Sequence, residues 1–140
     1  MAGANREAPT KGDAKPGYLE AFNIADATHL YVGEMSALRL SDDKLIAAVN
    51  AAGNVVVGVN TLEVNNSVSG DTMKDISIGV HGMVNSSTNA ITRDNISDLC
   101  YVEDAATVSL SGTVVAGVVV DVDSTDDLVY VDFDPGKAVK

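Results

Sequence analysis

No tryptophan occurs in this chain, and its aromatic complement is two Phe and four Tyr. Without large rings, a core has to be assembled from Val, Ile, Leu and Ala, many small contacts in place of a few large ones, packed between sheet faces. The single cysteine, Cys100, rules out an internal disulfide. At 140 residues the chain is long enough to bury a core without one, and one compact domain over residues 18–134 is expected. Cations are scarce as well: nine Lys and Arg stand against 20 Asp and Glu, a formal charge of -11. Phosphate binding needs a basic stripe, so a nucleic-acid surface is not expected. No apolar run reaches the ~18 residues of a membrane span. The opening MAGANREAPTKGDAKPGY has no apolar region of the signal-peptide type, so a soluble product of the cytosol with no membrane partner is expected.

Chemistry-bearing groups are equally sparse. Nucleophilic catalysis needs a base beside a Ser or Cys; only His29 and His81 offer one, and neither sits in a strand-to-helix elbow. There is no phosphate loop and no zinc spacing, and Cys100, inside LCYV, reads as a small buried apolar residue. His29 reads as a surface or internally satisfied side chain. These absences point away from an enzyme and from any cofactor. Asp121, Asp123, Thr125, Asp127 and Asp132 do fall at positions 1, 3, 5, 7 and 12 of a calcium-loop count. Asp126 occupies the place that needs Gly, and the flanks read as strands where helices are required, so no metal site is expected and the acids read as a solvated turn that discourages edge pairing. Met73-Lys74 in GDTMKDISIG resembles the Met-Lys hairpin turn of biotinyl or lipoyl carrier domains, but Asp75 stands where those want Met or Ala, leaving an exposed turn lysine. The sequons at Asn65, Asn85 and Asn95 carry no weight without a secretion signal.

What the chain has in abundance is β-branched alternation. Residues 109–133, SLSGTVVAGVVVDVDSTDDLVYVDF, hold two such runs around Ser124, Thr125, Asp126 and Asp127, the pattern of a β-hairpin. Val118, Val120 and Val122 alternate with Val119, Asp121 and Asp123, while Val129, Val131 and Phe133 alternate with Tyr130 and Asp132. Alternation of period two predicts a sheet with one apolar face and one carrying carboxylates. Upstream, short runs at residues 30–32, 55–59, 61–64, 76–84, 91–94, 99–103 and 107–110 are separated by Gly-rich and Asn-rich joints, including a turn at 65–71 and a loop at 85–90. Roughly eight to ten short strands follow, as in small β-barrels or β-sandwiches. GNVVVGV at residues 53–59 recurs as GTVVAGV at 112–118, with Gly58 matching Gly117, and ISIGVHG around Gly79 is a looser third copy. Gly inside a strand marks a bulge or a close backbone approach, so the echo predicts equivalent bends in two sheet segments.

Two segments depart from this text. Ser41 followed by Asp42 and Asp43, then Leu45, Ile46 and Val49 and finally Gly53, carries an N-cap, a first-turn acid pair, an apolar stripe and a C′ glycine, which predicts one short helix over residues 41–52. KLIAAV in this Val-rich setting also suits a strand. Residues 1–17 are rich in Ala, Gly, Pro, Lys and Asp without a period, which predicts a flexible N-terminal arm. A short tail, residues 135–140, ends the chain. The arm carries Arg6, Lys11 and Lys15 against Glu7 and Asp13, while residues 18–134 hold four Lys or Arg against eighteen Asp or Glu. A mildly basic arm on an acidic body is the one electrostatic device in the sequence for gripping an acidic partner, which makes Arg6, Lys11 and Lys15 the candidate binding residues; a solvated tail is the alternative.

In order, residues 53–133 present VVVGVNT, a GDT turn, IGVHGMVN, LCYVED, ATVSLSG, VVAGVVVDVDS and a closing VYVDF. That order resembles the auxiliary head proteins of tailed phages, the capsid decoration or cement family. The resemblance implies a small acidic all-β structural protein, made in the host cytoplasm and placed on the outer capsid surface of the virion. There it would bind the major capsid protein and clamp neighbouring capsomers, with a homo-oligomer, a trimer by preference, as its form. The helix at 41–52 and the long N-terminal lead depart from the family. A β-rich receptor-binding or adhesin module is the alternative; it would favour exposed aromatic platforms, which this sequence is expected to lack.

Overall fold

The structure, a computed structural model, describes residues 22–66, 70, 72–73 and 76–134. It is mostly β-sheet with little helix, the one described helical element being a single 3-10 turn at Arg93–Asn95. The first run of strands is β1 (Phe22–Asn23), β2 (Thr28–Leu30), β3 (Met35–Arg39), β4 (Lys44–Ala47), β5 (Asn54–Asn60), β6 (Val64–Asn66), β7 (Thr72–Met73) and β8 (Ile76–Ser77). Here β3 is flanked by β4 and β5, β8 extends the sheet beyond β5, and the pairs β1–β7 and β2–β6 stand beside it. The second run is β9 (Val80–Asn85), β10 (Leu99–Asp104), β11 (Thr107–Ser109), β12 (Val115–Asp123) and β13 (Leu128–Asp132). Its five strands curl until they pair in a closed cycle, in the order β9, β11, β10, β12, β13 and back to β9. The β9–β11 seam is parallel and two register pairs long, Val84 opposite Thr107 and Asn85 opposite Val108.

Burial follows these sheets. Val102, Val108, Val119, Val129 and Val131 fill the inside of the curled second sheet, and Met35, Ala37, Ala48 and Val59 of the first run join the same cluster. A smaller cluster, Ile24, Leu30, Leu45 and Ile76, lies on the first run's other face. Both are built from aliphatic side chains, as the shortage of aromatics requires, with Phe133 the one ring among the buried core residues described.

The expected helix over residues 41–52 is a strand hairpin instead. Lys44–Ala47 pairs with β3, setting Leu38 opposite Leu45 and Ala37 opposite Ile46, and Leu45 also makes a parallel bridge to Ile24. Asp43 adopts φ 58°, a left-handed conformation that interrupts a helix. The acids that read as a helical first turn serve the hairpin turn: Arg39 donates to both Asp42 carboxylate oxygens, at 3.1 and 2.7 Å, and Asp42 Oδ1 accepts the Lys44 amide at 3.3 Å. Arg39 foremost holds the Asp42 carboxyl below its ordinary value. Gly53, read as a helix C′ residue, has φ 100° and precedes β5, its carbonyl accepting the Leu40 amide. Leu45, Ile46 and Val49 satisfy a helical spacing, yet sheet partners on both sides of β4 outweigh a propensity of tenths of a kcal/mol, ~0.5 per residue.

Other boundaries shift too. The strand expected at 30–32 is Thr28–Leu30, that at 61–64 is Val64–Asn66, and 76–84 splits at Ile78 and Gly79 into β8 and β9. Asn65 and Asn66 therefore belong to a strand and not to the expected turn. Residues 91–94 lead into the 3-10 turn and not a strand. Short strands raise the number to thirteen among the described residues, above the eight to ten expected. In β12 the predicted apolar face of Val118, Val120 and Val122 is wrong in two of its three members. Val119 and Val122 are buried, while Val118 is half-buried and Val120 exposed. The cause is the register: Val119 lies opposite Val131 but Asp121 opposite Tyr130, so Val120 is an extra residue that flips the alternation.

Candidate interaction surface

Of the residues singled out in the sequence, Arg6, Lys11 and Lys15 lie outside the described residues, as does Lys74 beside Met73 of β7. The acidic turn is built for the chain's own backbone. Asp123 Oδ1 accepts the amides of Thr125 and Asp126 at 3.0 and 3.3 Å, and Asp127 takes φ 59° to re-enter β13. Asp121 turns the other way: it accepts the Val122 amide at 2.9 Å and pairs with Arg93 at 2.8 Å, and these bonds, the backbone one foremost, hold its carboxyl below the ordinary value. The five calcium-count residues are thus not gathered around one point, and among the described residues no three His, Cys, Asp or Glu are placed to hold a metal ion.

Cys100 is fully buried, and burial pushes its thiol up to about 12, which leaves no thiolate at neutral pH. His81 sits 2.7 Å from Ser77 Oγ, with the Phe133 ring 6.1 Å away, and burial lowers its pKa. Asn85 is committed to the loop after β9: its Nδ2 donates to the Ile91 carbonyl at 2.8 Å, and its Oδ1 accepts the Ile91 amide at 2.9 Å.

The structure brings together a group of residues that sequence reading missed. On the outer face of the second sheet, Val80, Gly82 and Val84 of β9 lie beside Asp132, Tyr130 and Leu128 of β13. Those three in turn face Val118, Asp121 and Asp123 of β12. The bulge adds Val120 to this side, next to Asp121. Tyr130 reaches across Gly82: a Cβ there would stand 3.2 Å from the Tyr130 ring and 3.8 Å from a Leu128 methyl. The result is an apolar strip across three strands, with Val80, Val84 and Val120 respectively 52, 45 and 38 % exposed. Carboxylates of Asp121, Asp123 and Asp132 share the same face. Its signal in the sequence was faint: Val80 and Val84 are apolar at two of the three exposed positions of β9, where a half-buried strand carries polar residues.

A second exposed group lies on the first run. His29 stacks on Tyr31, ring centroids 4.0 Å apart and 12° from parallel, and its Nε2 meets Glu63 Oε2 at 2.6 Å. Exposed Tyr31, Val32 and Leu62 adjoin it. Register explains the meeting, since His29 lies opposite Asn65 in the β2–β6 pair.

Comparison with protein-family models, curated proteins and solved structures finds no match for this chain. Among the described residues, no helix is long and apolar enough to cross a membrane.

Proposed function

We propose that this chain is a structural virion protein of the capsid decoration type, held on the outer surface of a tailed-phage head by contacts to the major capsid protein. The observation that carries the reading is the outer face of β9, β13 and β12, which combines apolar strip and carboxylates but no reacting constellation; such a face suits permanent attachment to another protein. The order of sequence elements over residues 53–133 supports it. In this reading the closed second sheet is a small barrel, the functional unit is a trimer, and Arg6, Lys11 and Lys15 extend the grip as an arm. The test is to mix the purified protein with empty heads of the phage whose genome encodes it. Saturable decoration is expected, and deletion of residues 2–17 should weaken it while leaving the melting temperature unchanged. Failure of the full-length protein to sediment with heads overturns the proposal.

A receptor-binding module remains the second reading, and one observation favours it. The stacked His29–Tyr31 pair beside Glu63 is a small exposed aromatic platform with a carboxylate at its edge, a combination that suits a polar ligand with an apolar face.

A further inference from the structure

We propose that the outer face of β9, β13 and β12 docks onto a protein surface with an apolar centre and Lys or Arg side chains around it. The inference deepens the decoration reading and rests on it for the partner being a protein.

Three observations lead there. First, the strip is continuous. Val84 and Leu128, and Gly82 and Tyr130, are register neighbours, and Val120 enters from the third strand. Gly82 is what lets the Tyr130 ring lie down, since a side chain there would meet the ring at 3.2 Å. A flattened ring between two exposed valines offers wide contact area at little entropy cost, because Tyr has few rotatable bonds. Second, the face is anionic. Asp121, Asp123 and Asp132 lie on it, and Asp126 and Asp127 stand in the turn at its end. Arg93 is tied to Asp121, and the other two described cations, Arg39 and Lys44, belong to the β3–β4 hairpin on the first run. Third, charge decides between occupants. Two copies joined through this face would set carboxylates against carboxylates on chains of formal charge -11, whereas a basic rim would be attracted.

Two probes test the proposal on the full-length protein. Amide shifts are mapped by NMR during titration with an extended hexapeptide of alternating Arg and Leu, and with its Glu-Leu counterpart. Shifts confined to β9, β12 and β13, for the Arg-Leu peptide alone, are expected. Shifts elsewhere, or equal shifts with both peptides, overturn it. Empty heads are then bound by the wild type and by Val84→Lys and Val84→Glu. Both replacements are at an exposed position, and a circular dichroism spectrum identical to wild type is required of each; Val80→Lys replaces any that fails. Removing one apolar contact and opposing a basic rim should weaken Val84→Lys at least about tenfold, and Val84→Glu, which keeps the sign of the face, should lose less. Equal losses overturn the basic rim, and undiminished binding by both overturns the face while leaving the decoration reading standing. If wild type ignores the heads, the decoration reading falls and the peptide map alone decides the face. Concentration-dependent self-association that Val84→Lys abolishes makes the occupant a second copy and overturns the proposal.

Discussion

In the first run of strands Ser36 lies opposite Gly58 and Ala37 opposite Val56, leaving Val57 as an extra residue; in the second, Cys100 lies opposite Gly117 and Tyr101 opposite Val115, leaving Ala116. The agreement extends outward from these two bulges. Gly33 N–H donates to the Asn60 carbonyl and Asn60 N–H to the Glu34 carbonyl; Ser97 and Val119, then Val119 and Asp98, repeat both bonds. The turns ahead of β3 and β10 close alike, Glu34 onto Tyr31 and Asp98 onto Asn95. Ile24 bridges Leu45 in parallel and Ala25 N–H follows onto the Leu45 carbonyl, as Asn85 joins Val108 and Ser86 N–H follows onto the Val108 carbonyl. Even the third neighbour matches: a Cβ at Gly58 would lie 2.5 Å from Ile76 Cγ2 and 2.6 Å from the Ser77 carbonyl, and one at Gly117 2.7 Å from Val131 Cγ1 and 2.5 Å from the Asp132 carbonyl. Around these two bulges the described residues use one local strand arrangement twice, and the fillings differ. Where the second run places apolar Cys100 and Val119, the first places Ser36 and Asn60, which hydrogen-bond to each other in the buried interior while Asn60 Nδ2 reaches the Tyr31 carbonyl at 3.2 Å. Backbone pairing and two glycines define the arrangement; what fills it is free to change as long as each buried polar group keeps a partner.

The largest effect that probes this equivalence is at the glycines. Gly117→Ala should cost about 1–3 kcal/mol through overpacking against β13. Gly58→Ala meets the same crowding and adds backbone strain, since Gly58 has φ 153°, for a total of about 3–5 kcal/mol. Urea unfolding of the two variants checks the order; a harmless alanine at either site breaks the comparison. Next in size is the interior pair. Asn60→Val alone strands the buried Ser36 hydroxyl and should cost about 1–3 kcal/mol. Adding Ser36→Cys, which installs the second run's pair in the first, should recover most of that loss, because the Tyr31 carbonyl keeps its bond from Glu34. A double-mutant cycle with no coupling would show that the two interiors are not interchangeable. The smallest effect is at the matching turns, where Gly33 has φ 88° and Ser97 φ 82°. Gly33→Ser, with open space around the site, should cost about 1 kcal/mol from backbone strain alone, and Ser97→Gly should gain somewhat less than about 1 kcal/mol. Melting temperatures moving in opposite directions would sharpen the equivalence, and a loss in both would limit it to the strands.

Part of this was legible. The echo of GNVVVGV in GTVVAGV located both bulges through Gly58 and Gly117, because a residue without Cβ is the one that lets a neighbouring carbonyl approach. The third copy, around Gly79, does not hold: Gly79 joins β8 to β9, where a Cβ would touch only Ser77 Oγ at 3.7 Å. Ser97 hid its equivalence to Gly33 behind a side chain, and Ser36–Asn60 hid theirs to Cys100–Val119 behind polarity. The outer face of β9, β13 and β12 was legible only faintly, since Val80, Val84, Tyr130 and Val120 are far apart along the chain or on the wrong parity until β9 closes onto β13 and the bulge turns Val120 outward.

By itself the sequence determined the sheet class, through β-branched alternation and a lack of rings and cysteines that leaves many small aliphatic contacts as the means of building a core. It also determined the hairpin turn at 124–127, where four polar residues interrupt two Val-rich runs, and the Gly positions at which strands bend. Tertiary structure alone decided that 44–47 is a strand, that Val119 points inward while Val120 points out, and that β9 seals the second sheet. A strand's alternation states which residues share a side but not where one extra residue reverses it, and helix and strand preferences differ by only ~0.5 kcal/mol per residue. Pairing on both edges of β4 and packing on both faces of the sheets are larger than that, and they exist only once distant segments have met.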